Sequence, residues 1–329
     1  MTLRCIESLA ELDYPSVRVI VVENGSGDDS AKELWDRLRQ VDPNAARVDY
    51  VADEGAPSFD AVDGASPEQA RWILAVSPVN RGYAGGMNAG LRIARTLGGA
   101  RYFWLLNNDL TVARDAVAQL VHRVEDDARI GLCGCLQLRA DPSGVPTGDV
   151  LATGGFSYVP WLGHFSRLNE PNSCDPKHHA RVEQRMYGAQ GAAVFGTHAF
   201  VSDVGLLDES RFLFFEEQDW AVRARRHNYL VAYAPAAHVL HSIGTAVGVR
   251  SGRRGTPVIS RYFLARSRLS FTRRWYPYAV PTVLAYQLAI VAYYCVRGRF
   301  DDARLALAGV RDAFTNQLRR FDELGAVSY

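Results

Sequence analysis

Tyr102-Phe-Trp-Leu-Leu-Asn-Asn-Asp109 is a short apolar run that stops abruptly on three polar residues. An aromatic-rich run of this length, bounded by polar residues, predicts a buried strand. A parallel strand covered on both faces reads this way, and ligands of open α/β sheets gather at the carboxyl ends of such strands. Asp109 at that end is a hard oxygen donor, with Asn107 and Asn108 beside it. The set suits Mg²⁺ or Mn²⁺ carrying a diphosphate, because these ions take one or two carboxylates and complete their shell with substrate phosphates. The same three residues also suit a strand end followed by an Asx turn.

Ahead of this stretch, residues 2–12 predict a helix with Leu3, Ile6 and Leu9 on one face. Tyr14-Pro15 ends it, and Val17–Val22 is a β-branched strand. Glu23-Asn-Gly-Ser-Gly-Asp28-Asp-Ser30 is a turn whose last residues can cap a helix over Ala31–Val41. Parallel sheets grow by strand–helix–strand units, so a helix feeding directly into such a strand leads us to expect a further strand ahead of Met1. Residues 43–71 are polar and rich in turn formers, which predicts a surface excursion before the strand Trp72–Val76. Asn80-Arg-Gly-Tyr-Ala-Gly-Gly-Met-Asn-Ala-Gly90 then leads into a helix through about Thr96. A glycine-rich turn entering a helix brings backbone N–H groups close to an anion and aims the helix dipole at it. Tight helix packing would use the same glycines.

Beyond the central run, Asp115–Glu125 predicts a helix, Gly131–Leu138 a strand and Asp141–Gly148 a turn-rich connection. Thr153–Arg185 has little periodicity and predicts a substrate-facing loop. His178 and His179 are adjacent with no partner at ligand spacing, which favours solvated loop histidines over a metal site. Between Gly205 and Arg225 an aromatic run delivers Glu216, Glu217 and Asp219 onto the start of a helix. Acids in a first helical turn are stabilised by the dipole alone. A general base desolvated by Phe214, Phe215 and Trp220 would read identically, with its pKa raised toward useful values. His241 closes a strand that begins at Leu230, as a metal ligand or as a satisfied structural histidine.

Composition sets the class. The 329 residues are 48% hydrophobic and 22% charged, the balance of an ordinary globular chain of one large domain or two. The net charge of +1 hides an asymmetry: eight arginines and no acid between Arg250 and Tyr276, against an acid-rich first eighty residues. No nucleic-acid recognition motif accompanies the arginines, which argues against a nucleic-acid partner. Five cysteines without a Cys-x-x-Cys pair fit reduced thiols in a cytosolic compartment. The first residues have no apolar core of signal-peptide length.

Taken in order, these residues resemble the family 2 glycosyltransferases of the GT-A fold, especially their rhamnosyltransferase-like branch. Val21-Val-Glu-Asn-Gly-Ser-Gly-Asp28 is similar to the family's Val-Val-Asp-Asn-Gly-Ser-x-Asp, and Asn80–Gly90 to its Asn-x-Gly-Phe-Ala-x-Gly-x-Asn-x-Gly. Asn107-Asn-Asp109 matches a variant of its Asp-x-Asp metal motif. Val204–Phe215, Glu216–Arg223, Pro235–His241 and Arg261–Arg268 match its later blocks, so the resemblance covers about residues 3–275. It implies a Rossmann-like mixed sheet flanked by helices over residues 1–245, followed by a C-terminal helical segment over 246–329. By the resemblance, Glu23 meets the nucleotide base. Asn24, Asp28, Asn80, Arg81, Gly82, Gly86, Asn88 and Asn108 serve the nucleotide or sugar, and Asp109, His241 and Asn107 hold Mn²⁺ or Mg²⁺. Glu217 falls at the catalytic-base position, with Glu216 and Asp219 orienting it. Three departures stand out: Glu in place of Asp at 23 and at 217, Asn in place of the first metal-motif acid at 107, and no first strand.

Ala279–Val296 is apolar apart from Thr282 and Gln287 and just long enough to cross a bilayer. The next stretch sets Leu307, Val310, Phe314, Leu318 and Phe321 opposite Arg304, Arg311, Asp312 and Arg319. Packing on the catalytic domain or on a second subunit is one use of this segment. Attachment to an anionic membrane surface is the other, and the one expected here. The expectation is thus an inverting, metal-dependent transferase at the inner face of the cell membrane. It would move a sugar from a nucleotide-sugar to a glycan or lipid-linked acceptor in envelope polysaccharide assembly. A non-catalytic scaffold of the same fold is the alternative.

Overall fold

The computed structural model describes residues 1–51, 58–141, 143–169, 179–241, 259–319 and 324. The chain opens with helix α1 (Thr2–Ala10), strand β1 (Val19–Asn24) and helix α2 (Ser30–Val41). Next come β2 (Ala46–Val51), β3 (Ser58–Gly64), β4 (Trp72–Ser77) and α3 (Gly82–Leu97). The four strands form one sheet in the order β1-β4-β2-β3, with β1 and β2 parallel to β4. The described part of residues 43–71 is therefore no surface excursion. Ala46, Val48 and Tyr50 alternate into the core from β2, a period-two pattern that the surrounding Asp, Pro and Gly obscured. Only β3, whose residues are mostly exposed, behaves as the expected polar edge.

The second sheet is built on β5 (Tyr102–Leu106), β6 (Leu110–Val112), β7 (Ile130–Ala140), β8 (Pro146–Thr153), β12 (Ala193–Thr197) and β13 (Leu230–His241). Its order is β5-β12-β7-β13-β6, with β8 on β7. Helix α4 (Ala116–Glu125) covers it, burying Leu120, Val121 and Val124. β5 is packed on both faces as expected, Phe103 and Leu105 into one apolar cluster and Tyr102, Trp104 and Leu106 against another. It pairs antiparallel with β12, however, which corrects the expectation of a parallel central strand. Among the described residues β1 pairs only with β4 and β5 only with β12.

The stretch expected to be a substrate loop is largely structured. It contributes β8, β9 (Gly155–Val159), β10 (His164–Arg167) and α5 (His179–Arg185), and β11 (Gly188–Ala189) completes a small antiparallel sheet with β9 and β10. His179 starts α5, and His178 lies outside the described residues. Helices α6 (His198–Val204) and α7 (Glu216–Arg226) follow, then α8 (Ser260–Trp275), α9 (Val280–Val296) and α10 (Phe300–Thr315). α8 is built into the rest of the fold: Ser267 Oγ donates to Leu213 O (2.9 Å) and Arg266 Nη1 to Ser210 O (3.1 Å). α10 corrects the expected amphipathic face. Its buried side is Ala303, Ala306, Gly309, Val310 and Ala313, while Leu307 and Phe314 face outward. Small residues let α8 and α10 approach closely; a Cβ on Gly309 would lie 2.4 Å from Tyr262 O.

Candidate active site

Two strand ends and two helix starts meet around the turn 190–192. Asn107 N–H at the end of β5 donates to Ala192 O (2.9 Å), and the Tyr83 hydroxyl in the first turn of α3 donates to Gly191 O (2.6 Å). Gly191 lies directly against the Glu217 carboxylate, whose Oε1 would be 2.9 Å from a Cβ placed there. Burial, then the charges of Glu217, Glu216 and Asp109, push the Tyr83 phenol well above its usual range. The three acids thus converge on one ring. Tyr83 and Gly191 were not singled out from the sequence, although the glycine pair at 188 and 191 was the available sign of a close approach.

The register of β13 brings the metal candidates together. His241 pairs with Leu110, which sets its ring beside Asp109 one residue earlier. His241 Nε2 lies 3.2 Å from Asp109 Oδ2, and its Nδ1 lies 3.4 Å from Gln137 Oε1 on β7. Asp109 and His241 are each 7% exposed. Asp109 Oδ1 and Asn107 Oδ1 are buried with no hydrogen-bond partner. Orphaned buried oxygens are costly in a finished structure and point to an absent partner. Two hard oxygens and an imidazole, left short of donors, fit a divalent ion that takes the rest of its shell from a ligand. Among the described residues no three His, Cys, Asp or Glu side chains form a closed metal cage. Asn108, two residues from β5, is exposed and donates to Thr2 Oγ1 (2.9 Å).

α7 presents its acids from a strained entry. Phe214 and Phe215 both have φ of 71°, a left-handed conformation that is unfavourable for bulky residues and clusters at functional sites. Phe215 is fully buried, and Glu216 behind it is 1% exposed with Oε1 unpartnered. Burial, then the neighbouring Glu217, raises the Glu216 carboxyl well above the usual glutamate range. Burial likewise raises Glu217, the less enclosed of the two. Asp219 is different. It accepts from Arg223 Nε (2.7 Å) and Trp275 Nε1 (2.7 Å), with Arg211 Nη1 at 3.4 Å. Its charge is spent on holding α7 to α8.

The donor-side residues form a tied corner. Asn24 Nδ2 donates to Gly82 O (2.9 Å), its Oδ1 accepts from Arg81 N (3.2 Å), and Asn80 Oδ1 accepts from Gly82 N (2.9 Å). Gly82 has φ of 71° and abuts Phe212 O, so it does not tolerate a side chain. Gly86 packs on the Asn24 amide, which a Cβ there would push by a few tenths of an ångström. Arg81 lies over the Tyr50 ring. Asp28 is exposed and accepts from Ser30 N, which begins α2. Glu23 is 6% exposed and folds onto its own turn, accepting from Gly25 N and Ser26 N, so its carboxylate is engaged where a base contact was expected. Asn88 is a correction. It is fully buried, donates to Leu207 O and Glu209 Oε1, and accepts from Leu207 N, which leaves no amide group for a ligand.

Among solved structures the chain is similar to the mannosyltransferase PcManGT from Pyrobaculum calidifontis in complex with GDP-Man and Mn²⁺. The TM-score is 0.50 at 14% identity, over 95% of this chain and 83% of that one. It is also similar to GalNAc-T7 with UDP, GalNAc and Mn²⁺, at TM-score 0.51 and 12% identity, over 79% and 42% of the two chains. The chain has the GT-A fold. Residues 60–169, from β3 through β10, match the model of Glycosyl transferase family 2, which supports a family 2 glycosyltransferase. A curated relative, the low-salt glycan biosynthesis hexosyltransferase Agl10 of Haloferax volcanii, is 22% identical over 224 residues, 68% of this chain. The match spans 66% of that relative's length.

Proposed function

We propose that this chain is an inverting, metal-dependent glycosyltransferase. It would move a sugar from a UDP- or dTDP-linked donor, with rhamnose as the first sugar to test, to a hydroxyl of a glycan or lipid-linked acceptor in cell-envelope polysaccharide assembly. One observation carries the reading: under-bonded Asp109 and Asn107 and a desolvated Glu217 gather around the turn 190–192, and the charges of Asp109 and Glu217 both act on Tyr83. Both structural neighbours are complexes with Mn²⁺, which supports a divalent ion here. Asp109, His241 and Asn107 would hold it, and its charge would stabilise the departing diphosphate. Gln137 at His241 Nδ1 orients the imidazole, as partners of metal-bound histidines do. Glu217 takes the proton from the acceptor hydroxyl while that oxygen bonds to the anomeric carbon. The bond from that carbon to the nucleotide diphosphate breaks on the opposite side, and the electron pair leaves with the phosphate oxygen. Single displacement inverts the centre. Burial raises Glu217 and thereby strengthens it as a base.

The engaged carboxylate of Glu23 favours the second reading, a non-catalytic scaffold of the same fold. Glu217→Gln separates the two. As a base variant it loses about 10²–10⁴-fold in transfer, with donor binding retained in calorimetry against UDP and dTDP in Mn²⁺. Loss of donor binding in a folded variant would remove the base role. Silence of the parent protein toward every nucleotide would leave the scaffold.

A further inference from the structure

Helix α9 wears its polarity inside out. Its buried stripe is Val283, Gln287 and Tyr294, and the Gln287 amide oxygen accepts from the buried guanidinium of Arg268. The opposite stripe, at helical spacing, is Pro281, Ala285, Leu288, Ala292 and Val296, all exposed. A helix facing water turns these faces the other way. Pro277–Val296 has a mean hydropathy of 1.6, yet only 17% of its apolar window is buried within the protein. A core helix of that composition would be covered.

The exposed face extends beyond α9. The turn Pro160–Leu162, far away in sequence, projects Trp161 at 55% exposure beside Leu162. The Trp161 ring packs against Tyr278 (5.0 Å), itself 57% exposed, and Trp161 O accepts from Thr282 Oγ1 (2.7 Å). Of the arginines flanking the apolar stretch, Arg266 and Arg268 are buried and Arg274 pairs with Asp208, while Arg297 is exposed at the end of α9. No acidic residue lies between Arg274 and Phe300.

We propose that α9 and the Pro160–Leu162 turn form one interfacial seat on an anionic lipid bilayer, with α9 lying along the membrane. Both ends of α9 are tied to the same body, the first through Thr282 and Trp161, the second through Tyr294, which carries the guanidinium groups of Arg261 (5.4 Å) and Arg299 (4.9 Å) over its ring. Crossing would strip Arg268 of Gln287 and bring Gln287 into hydrocarbon, an expensive exchange. A second copy is the poorer occupant. In a two-fold dimer this face would meet itself and offer Arg297 no anion from within the apolar stretch. Anionic headgroups complement the exposed Arg297 at the end of a stretch that carries no acid, while Trp and Tyr suit the boundary between headgroup and acyl chain. The seat adjoins the acids: the rings of Tyr278, Tyr276, Phe271 and Phe215 run in successive contact to the residue before Glu216. Membrane docking stands independently of the transferase reading; only the delivery of a lipid-linked acceptor to Glu217 rests on it.

The test is co-sedimentation of the full chain with phosphatidylcholine vesicles, with and without phosphatidylglycerol. The parent chain binds the anionic vesicles, less so in high salt, and is released by alkaline carbonate. Trp161→Ser combined with Leu288→Glu weakens binding about tenfold or more, with its melting temperature and its affinity for UDP or dTDP unchanged. Val62→Glu, on the exposed strand β3, leaves binding as it was. Failure of the folded parent to bind, or equal losses in both variants, overturns the seat. Retention through carbonate means that α9 crosses. A dimer in light scattering that Leu288→Glu dissociates, without vesicle binding, gives the face to a second copy. Nucleotide calorimetry on the same samples reports the transferase reading separately.

Discussion

Two buried carboxylate centres in this molecule could hardly be more different. Asp312, fully buried between α8 and α10, accepts from Tyr262 Oη (3.2 Å), Arg311 Nε (2.8 Å) and Arg319 Nε (2.7 Å). At the pocket, Asp109 has one imidazole beside Oδ2 and nothing at Oδ1, and Glu216 has nothing at Oε1. Burying an acid is costly unless donors surround it. A saturated acid has finished its work inside the fold, as Asp312 and Asp219 have. An unsaturated one keeps bonding capacity in reserve for something that arrives later.

The contrast can be tested at four residues. Asp109→Ala has the largest expected effect, with turnover falling about 10²–10³-fold and the Mn²⁺ dependence of donor binding disappearing. Donor binding that still requires Mn²⁺ would move the ion elsewhere. Asp312→Ala acts on the other centre. It removes the acceptor for two arginines and a tyrosine and should cost about 3–5 kcal/mol of stability, read by urea unfolding, with turnover of the folded fraction unchanged. Asn88→Ala should lose about 1–3 kcal/mol by leaving Leu207 and Glu209 unpaired, while nucleotide affinity holds. A large change in affinity would return Asn88 to the donor site.

The smallest effect is a pH dependence. Burial and Glu217 hold the Glu216 carboxyl well above its ordinary 4.5, so the folded protein keeps a proton that the unfolded chain releases. Stability from this group is full below 4.5 and is lost as pH rises through the folded value. Glu216→Gln should therefore flatten the fall of melting temperature with rising pH. Parallel profiles for parent and variant would show that Glu216 is solvated after all. On the proposed base role of Glu217, which requires its deprotonated form, catalysis runs in the opposite sense: the rate should rise with pH along a limb lying above 4.5.

Much of this was legible in the sequence where one residue type had one physical use. The run at 102–109 and the acids at 216–219 follow apolar stretches that end on charge, and Asn107 and Glu217 both meet the turn 190–192. Strand β2 was not legible, because Ala46, Val48 and Tyr50 are only every second residue in a polar segment, and it is β4 alongside that makes them a core face. Glu23 and Asn88 are matters of side-chain direction. A one-dimensional pattern places them near the donor, and only the fold shows Glu23 turned onto its own backbone and Asn88 toward Leu207. Tyr83 and Gly191 escaped for a related reason, since their meeting spans 108 positions. α10 misled through size: Leu and Phe looked like the packing face, but alanine and glycine are what let two helices touch.

Helix α8 has one further consequence. One face grips the entry to α7 through Ser267, Phe271 and Trp275, and another grips α9 through Arg268. It is a strut of 16 residues, about 24 Å long, with no glycine or proline at which to bend. A machine braced this way has a fixed working height. If α9 rests on a bilayer, the distance from the lipid surface to Glu217 is a dimension of the protein and not a variable. As the proposed transferase, the chain would then gauge its acceptors by length as well as by chemistry, passing over hydroxyls held too near the surface or too far from it.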